Sequence, residues 1–353
     1  HADSGSKGDS SGSSTSQSGS ARTGKSVSAA SETVSVTAPV TKADGTKVVT
    51  AHKVSAGERK TALASGAPTG RAAERDAAAR KAVREYWTRE RLASAKPMPL
   101  PSGPKADKSS LRKGAAKAER TLKADKAAGK TTRVNGKVFF NDDRGGKYEC
   151  SASAVDSASK RVVVTAAHCV YAGKNKYFSN WMFIPGYDNG NKPYGTFQAQ
   201  HSHALRDYIH RGDDAGSDWN SDVAFVTTKD SEQGKRLVDA VGGHKVVTGK
   251  TTEFNATIFG YPHNIDKGLT LQTCSKMTKD TWANRKYHFH TVTGCNLKEG
   301  ASGGPWLENY NEKTGVGEIR TVTSFGSETE AYLGGPRFDD RAKKLFEEAN
   351  SDK

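Results

Sequence analysis

The alternation of apolar and polar positions changes character once along this chain. From Val134 onward, runs such as Lys137-Val138-Phe139-Phe140, Tyr148–Val155 and Arg161–Ala166 are strand-like and separated by polar turns. Further strands are predicted at Trp181–Tyr187, Gly195–His203, Asp222–Thr228, Ala256–Tyr261, Leu269–Cys274, Tyr287–Thr293, Glu318–Phe325 and Ala331–Phe338. Many short strands at this spacing predict an all-β barrel or sandwich, and about 218 residues suffice for two small barrels with cores. The chain closes on a helix, with Phe338, Ala342, Leu345, Phe346 and Ala349 along one face.

Before Val134 the pattern is weaker. Residues 1–30 are Ser, Gly and Ala with scattered charge, the composition of a disordered leader. Val34-Ser35-Val36 and Lys47-Val48-Val49-Thr50 alternate around Asp44-Gly45, which predicts a small hairpin. A helix is expected over 71–94. It is alanine-rich, has the pairs Asp76→Arg80 and Glu85→Arg89, and carries an apolar patch of Val83, Tyr86 and Trp87. Pro97, Pro99, Pro101 and Pro104 then end it in an extended linker. Leu111–Lys130 is basic with helical composition and few docking residues, a solvated face rather than a binding site.

Charge sharpens that boundary. Residues 1–135 hold 26 basic and 12 acidic side chains, so nearly all of the +15 net charge lies there. No run of 18 apolar residues predicts a membrane span. The first residue is His1, so a cleaved secretory signal is expected upstream. The four cysteines, Cys150, Cys169, Cys274 and Cys295, fit two disulfides in an oxidising compartment. Three pairings are open, and the two sequence-local ones, Cys150–Cys169 and Cys274–Cys295, are favoured.

Three short stretches carry chemistry. Gly300-Ala301-Ser302-Gly303-Gly304-Pro305 sets a serine among small residues where the backbone can turn sharply and direct N–H groups at a developing oxyanion. Thr165-Ala166-Ala167-His168-Cys169 supplies a base, and Asp222, opening an apolar strand, a carboxylate to orient it. Asp213, Asp214 and Asp218 lie nearby but read as loop carboxylates. Ser302 is thus the candidate nucleophile, and the Gly300 and Ser302 N–H groups are the oxyanion donors.

These motifs resemble those of the chymotrypsin-like (trypsin-like) serine proteases over residues 136–353, most closely secreted bacterial members including the glutamyl-endopeptidase-like branch. The histidine motif matches letter for letter and the serine motif at all but one position. The Cys150–Cys169 spacing is like that of the disulfide around the family's histidine loop. The resemblance implies two perpendicular six-stranded antiparallel β-barrels with the site in the cleft between them. It also implies that Ser324-Phe325-Gly326 is the strand that pairs with substrate, and that Asn296 stands at the specificity-pocket base where tryptic members carry an aspartate.

Two departures matter. Ala301 replaces the aspartate that, in animal digestive members, pairs with a newly cleaved N-terminal amine, so that ion pair is impossible here. Thr323 stands where the glutamyl branch commonly places a histidine, so nothing in the motif specifies a glutamate preference.

The expectation is a secreted, monomeric serine endopeptidase acting on protein or peptide, without cofactor, metal or nucleic-acid partner. Residues 31–133 form a basic pro-region acting in cis by assisting folding, masking the cleft or holding the enzyme at an anionic wall. Processing is expected near Thr132-Arg133-Val134. The rival reading is a non-catalytic homologue serving as a binding module. His201/His203 and His288/His290 have the His-x-His spacing of metal ligands, but lack further ligands at useful spacing and read as polar strand faces.

Overall fold

The computed structural model describes residues 31–58, 70–108, 125–126, 133–210, 218–327 and 331–352. The expected leader at 1–30 and most of the basic stretch 111–130 lie outside them. Glu32–Lys353 forms one compact unit. Among the described residues no helix is long and apolar enough to cross a membrane.

Six strands close the first barrel: Phe197–Leu205, Ser179–Pro185, Asn135–Asn141, Lys147–Ala154, Val162–Thr165 and Ala224–Thr228, the last returning to the first. Its interior holds Val138, Phe140, Val163, Val226, Phe183 and Phe197, all removed from solvent. Phe197–Leu205 meets Ser179–Pro185 only at Phe197 and Gln198, which leaves much of that edge open. Thr33–Thr37 takes it, pairing antiparallel with His201–Leu205. The expected hairpin therefore shifts: Val40–Thr41, not Val34–Val36, pairs with Lys47–Val49 across the Gly45 turn.

The expected single helix at 71–94 is two, α1 (Gly70–Tyr86) and α2 (Arg89–Ser94). The break falls at Thr88, whose extended backbone and hydroxyl cap α2 by accepting from the Arg91 N–H. Ala79, Val83, Tyr86 and Trp87 are buried in the same apolar core as the first barrel. The proline-rich segment is extended as expected but docked, with Lys96–Pro97 pairing parallel to Tyr148–Glu149.

The second half is built from two sheets rather than one hydrogen-bonded cylinder. One contains Lys245–Val246, Val316–Val322, Pro305–Asn311, Asn255–Gly260 and Gln272–Met277; the other Lys279–Ala283, Tyr287–Thr293, Tyr332–Pro336 and Phe325–Ser327. The strand through 316–327 is interrupted because Thr323 exchanges backbone bonds with Gly303 and Gly304 of the serine loop. At the other seam, Thr278 exchanges bonds with Phe254 instead of continuing a ladder. The closing helix α3 spans Asp340–Asn350, capped by Asp339, and buries Ala342, Leu345 and Ala349.

Both sequence-local disulfides form, Cys150–Cys169 and Cys274–Cys295. A buried ion pair joins Lys137 to Glu149 at 2.9 Å, and the Lys137 ammonium also donates to the Gly268 carbonyl at 2.6 Å. Burial pulls the lysine below and pushes the glutamate above their ordinary values, against their mutual attraction.

Candidate active site

His168 lies in a single 3-10 turn, Ala167–Cys169, directly after the buried strand Val162–Thr165. Its neighbour Cys169 is fixed twice, by the disulfide to Cys150 and by Trp181 Nε1 donating to its carbonyl at 3.0 Å. Asp222 sits just before the strand Ala224–Thr228, which pairs with Val162–Thr165. That pairing brings carboxylate and imidazole together from opposite directions along the chain.

The Asp222 carboxylate accepts from His168 Nδ1 at 2.7 Å, from the His168 backbone N–H at 2.9 Å and from Ser324 Oγ at 2.5 Å. Burial pushes its pKa up, but the His168 charge and these hydrogen bonds outweigh that and hold it below the ordinary carboxylate value. With Nδ1–H committed to Asp222, it is Nε2 that carries the lone pair whenever the ring is unprotonated. His168 Nε2 and Ser302 Oγ are both buried and have no hydrogen-bond partner among the described residues. They are the two atoms between which a proton would pass in acyl transfer.

The serine loop is held from three sides. Gly303 N–H donates to Thr323 O, Ser151 N–H to Ser302 O, and Ser151 Oγ to Gly300 O, while Tyr261 N–H donates to Ser151 Oγ. Glycine is required at two points. A Cβ on Gly300 (φ +93) would lie 2.7 Å from the Tyr261 carbonyl, and one on Gly303 (φ +84) 2.1 Å from Thr165 Oγ1. Ala301 is fully buried, so the position that could have held an ion pair is an apolar packing site.

The other sequence candidates fall as follows. Asp218 is described but makes no bond to His168, whereas Asp213 and Asp214 lie outside the described residues. Ser324, expected to line the substrate cleft, is buried and serves Asp222. The Phe325 ring packs against Trp219 and Phe289. Gly326 is hydrogen-bonded to Pro101 and Gly103 of the same chain. Asn296 is half-buried and its carbonyl accepts from Asn264. The Thr323 hydroxyl accepts from Trp306 Nε1, so it is committed to the core.

His201 Nδ1 and His203 Nε2 converge on Asp352 at 2.7 and 3.1 Å beneath the C-terminus, and His288 bonds Asp280. Sequence reasoning misses Ser151 and the Asp222-binding role of Ser324. A serine on a strand reads as an outer polar position, so neither carries a signal.

Residues 150–316 match the trypsin-like peptidase domain family. Among solved structures, the chain is similar to the protease Anisep from Arthrobacter nicotinovorans, with 28% identity and TM-score 0.55, over 62% of this chain and 96% of that one. It is also similar to the thermostable serine protease AL20 from an extremophilic microorganism, with 25% identity and TM-score 0.56, over 64% and 100% of the two chains. A Glu endopeptidase, 17% identical with TM-score 0.53 over 66% of this chain and 99% of that one, shares the fold. No curated protein matches the sequence. The chain therefore carries a trypsin-like peptidase domain on a chymotrypsin-like fold. It is a serine endopeptidase.

Proposed function

We propose that His168, Asp222 and Ser302 are the catalytic triad of this endopeptidase, which is secreted and made with its N-terminal region as a pro-region in cis. The carrying observation is the buried Asp222 carboxylate bonded to both Nδ1 and the backbone N–H of His168. Ser302 Oγ attacks the scissile carbonyl as His168 Nε2 takes its proton, and Asp222 stabilises the resulting imidazolium. The N–H groups of Gly300 and Ser302 hold the oxyanion, and His168 then returns the proton to the leaving amine. Deacylation repeats the sequence with water. The disulfides closing the 150–169 and 274–295 loops support an oxidising, extracellular destination.

The test is expression with secretion, followed by casein hydrolysis and N-terminal sequencing of the protein in the medium. Hydrolysis is expected from a shortened chain and is absent in Ser302→Ala. A folded, secreted chain that never cleaves protein in any processed form contradicts the reading and favours the binding-module alternative.

A further inference from the structure

The cleft between the two halves is occupied by the protein's own chain. Beginning after α2, residues 96–107 cross it from one wall to the other. Lys96–Pro97 pairs parallel with Tyr148–Glu149, and Met98 N–H donates to the Glu149 carbonyl at 2.9 Å. The Met98 carbonyl then accepts from Gly300 N–H at 3.3 Å, which is the donor assigned above to the oxyanion. Further on, Gly326 N–H donates to Pro101 O at 3.0 Å and Gly103 N–H to Gly326 O at 2.9 Å, with Ser102 bridging Gly326 in parallel. Asp107 N–H finally reaches the Trp282 carbonyl at 2.7 Å.

Leu100 lies between the two anchor points. It is half-buried against the apolar cluster that contains Leu297, Ala301, Val292 and Leu333, and a Cβ on Gly326 would lie 2.7 Å from its Cδ2. That cluster adjoins the serine loop through Ala301, and its members carry no charge. Gly103 passes so close to Phe325 that a Cβ there would lie 2.2 Å from the ring.

We infer that residues 96–103 form an autoinhibitory strap whose Leu100 fills the specificity pocket, and that the freed enzyme prefers a medium-sized aliphatic side chain, leucine or methionine, at the scissile position. This assignment rests on the triad reading above. The strap takes up the oxyanion donor and the substrate-pairing strand at once, so a substrate cannot bind beside it. Its pairing is parallel on both walls, the slightly weaker form of strand pairing, which suits a segment that must leave. Proline at 97, 99, 101 and 104 keeps it extended and lowers the entropy lost on docking. The occupant also identifies the pocket. A charged side chain entering this apolar cluster would lose its hydration without a partner.

The test compares the full chain with Leu100→Asp and Gly103→Val, each alongside a Ser302→Ala control, on peptide p-nitroanilides with Leu, Met, Lys or Glu before the cleaved bond. Thermal unfolding checks that each variant is folded. Either substitution should raise kcat/KM by ~10-fold or more, the scale on which losing the docking of one half-buried leucine, or adding a clash at Gly103, shifts a closed–open equilibrium. A synthetic peptide spanning 96–104 should restore inhibition, and the same peptide with Leu100→Asp should not. Leu and Met substrates should be cleaved ~10-fold faster than Lys or Glu ones.

If the parent chain is already as fast as both folded variants, the strap is no inhibitor; the triad reading survives because activity still vanishes with Ser302→Ala. Preference for Lys or Glu overturns the assignment of the pocket. Folded variants that neither cleave nor react with a fluorophosphonate overturn the strap inference and the triad reading together.

Discussion

Trp87 tests how deeply the N-terminal region belongs to the catalytic unit. It is 4% exposed, its ring lies 4.8 Å from Tyr86 and 5.7 Å from Phe139 of the first barrel, and it donates from Nε1 to the Asn180 carbonyl at 2.7 Å. Trp87→Ala removes that packing and leaves the carbonyl unpaired, at a cost of roughly 3–5 kcal/mol. For a unit of this size a kcal/mol moves the melting temperature by about 2–4 °C, so a fall on the order of 10 °C is expected. The assay is thermal unfolding by circular dichroism in a Ser302→Ala background, which prevents self-digestion. The whole transition should shift as one. A main transition within about 2 °C of the parent would refute the reasoning, because α1 and the barrel would then unfold independently.

Three further outcomes follow from the geometry. Asp222→Asn keeps the volume but cannot accept from both His168 donors and Ser324, so kcat should drop by about 10⁴, the scale of the equivalent change in chymotrypsin-type triads, with KM little changed in peptide assays. Gly303→Ala places its Cβ 2.1 Å from Thr165 Oγ1 at φ +84, so fluorophosphonate labelling should be lost. His244 is buried, accepts from Gly317 N–H at Nδ1 and bonds Asn135 through Nε2; burial lowers its pKa to about 3. The unfolded chain binds that proton below the ordinary histidine value of 6.5, so stability is full above that pH and falls as pH drops toward 3. Urea stability should lose up to about 1.4 kcal/mol per pH unit more in the parent than in His244→Gln, and equal slopes would remove His244 as the cause.

The chemistry of the site is legible in the sequence because its motifs are local. Acyl transfer needs a small-residue turn around Ser302 and a pinned strand end at His168, and both leave contiguous traces. Most barrel strands are legible from their apolar runs, but Pro305–Asn311 is not, since Glu308 to Asn311 alternate between exposed and half-buried positions and read as loop. The N-terminal region reads as separable because its composition is basic and poor in apolar residues. Its docking depends on partners that composition does not display: Val34 and Val36 complete a strand edge more than 160 residues away, and Trp87 fills a gap beside Phe139. Leu100, set between Pro99 and Pro101, carries no periodic signal at all. Its significance comes only from what it touches.

The central claim is that Ser302 is the nucleophile activated by His168. Its most direct test is reaction of the full chain and its folded Gly103→Val variant with a biotinylated fluorophosphonate, followed by mass-spectrometric location of the adduct. One adduct is expected, on Ser302, formed faster in the variant and abolished by His168→Ala. An adduct on another residue, or labelling of Ser302 that persists at the same rate without His168, would contradict the claim.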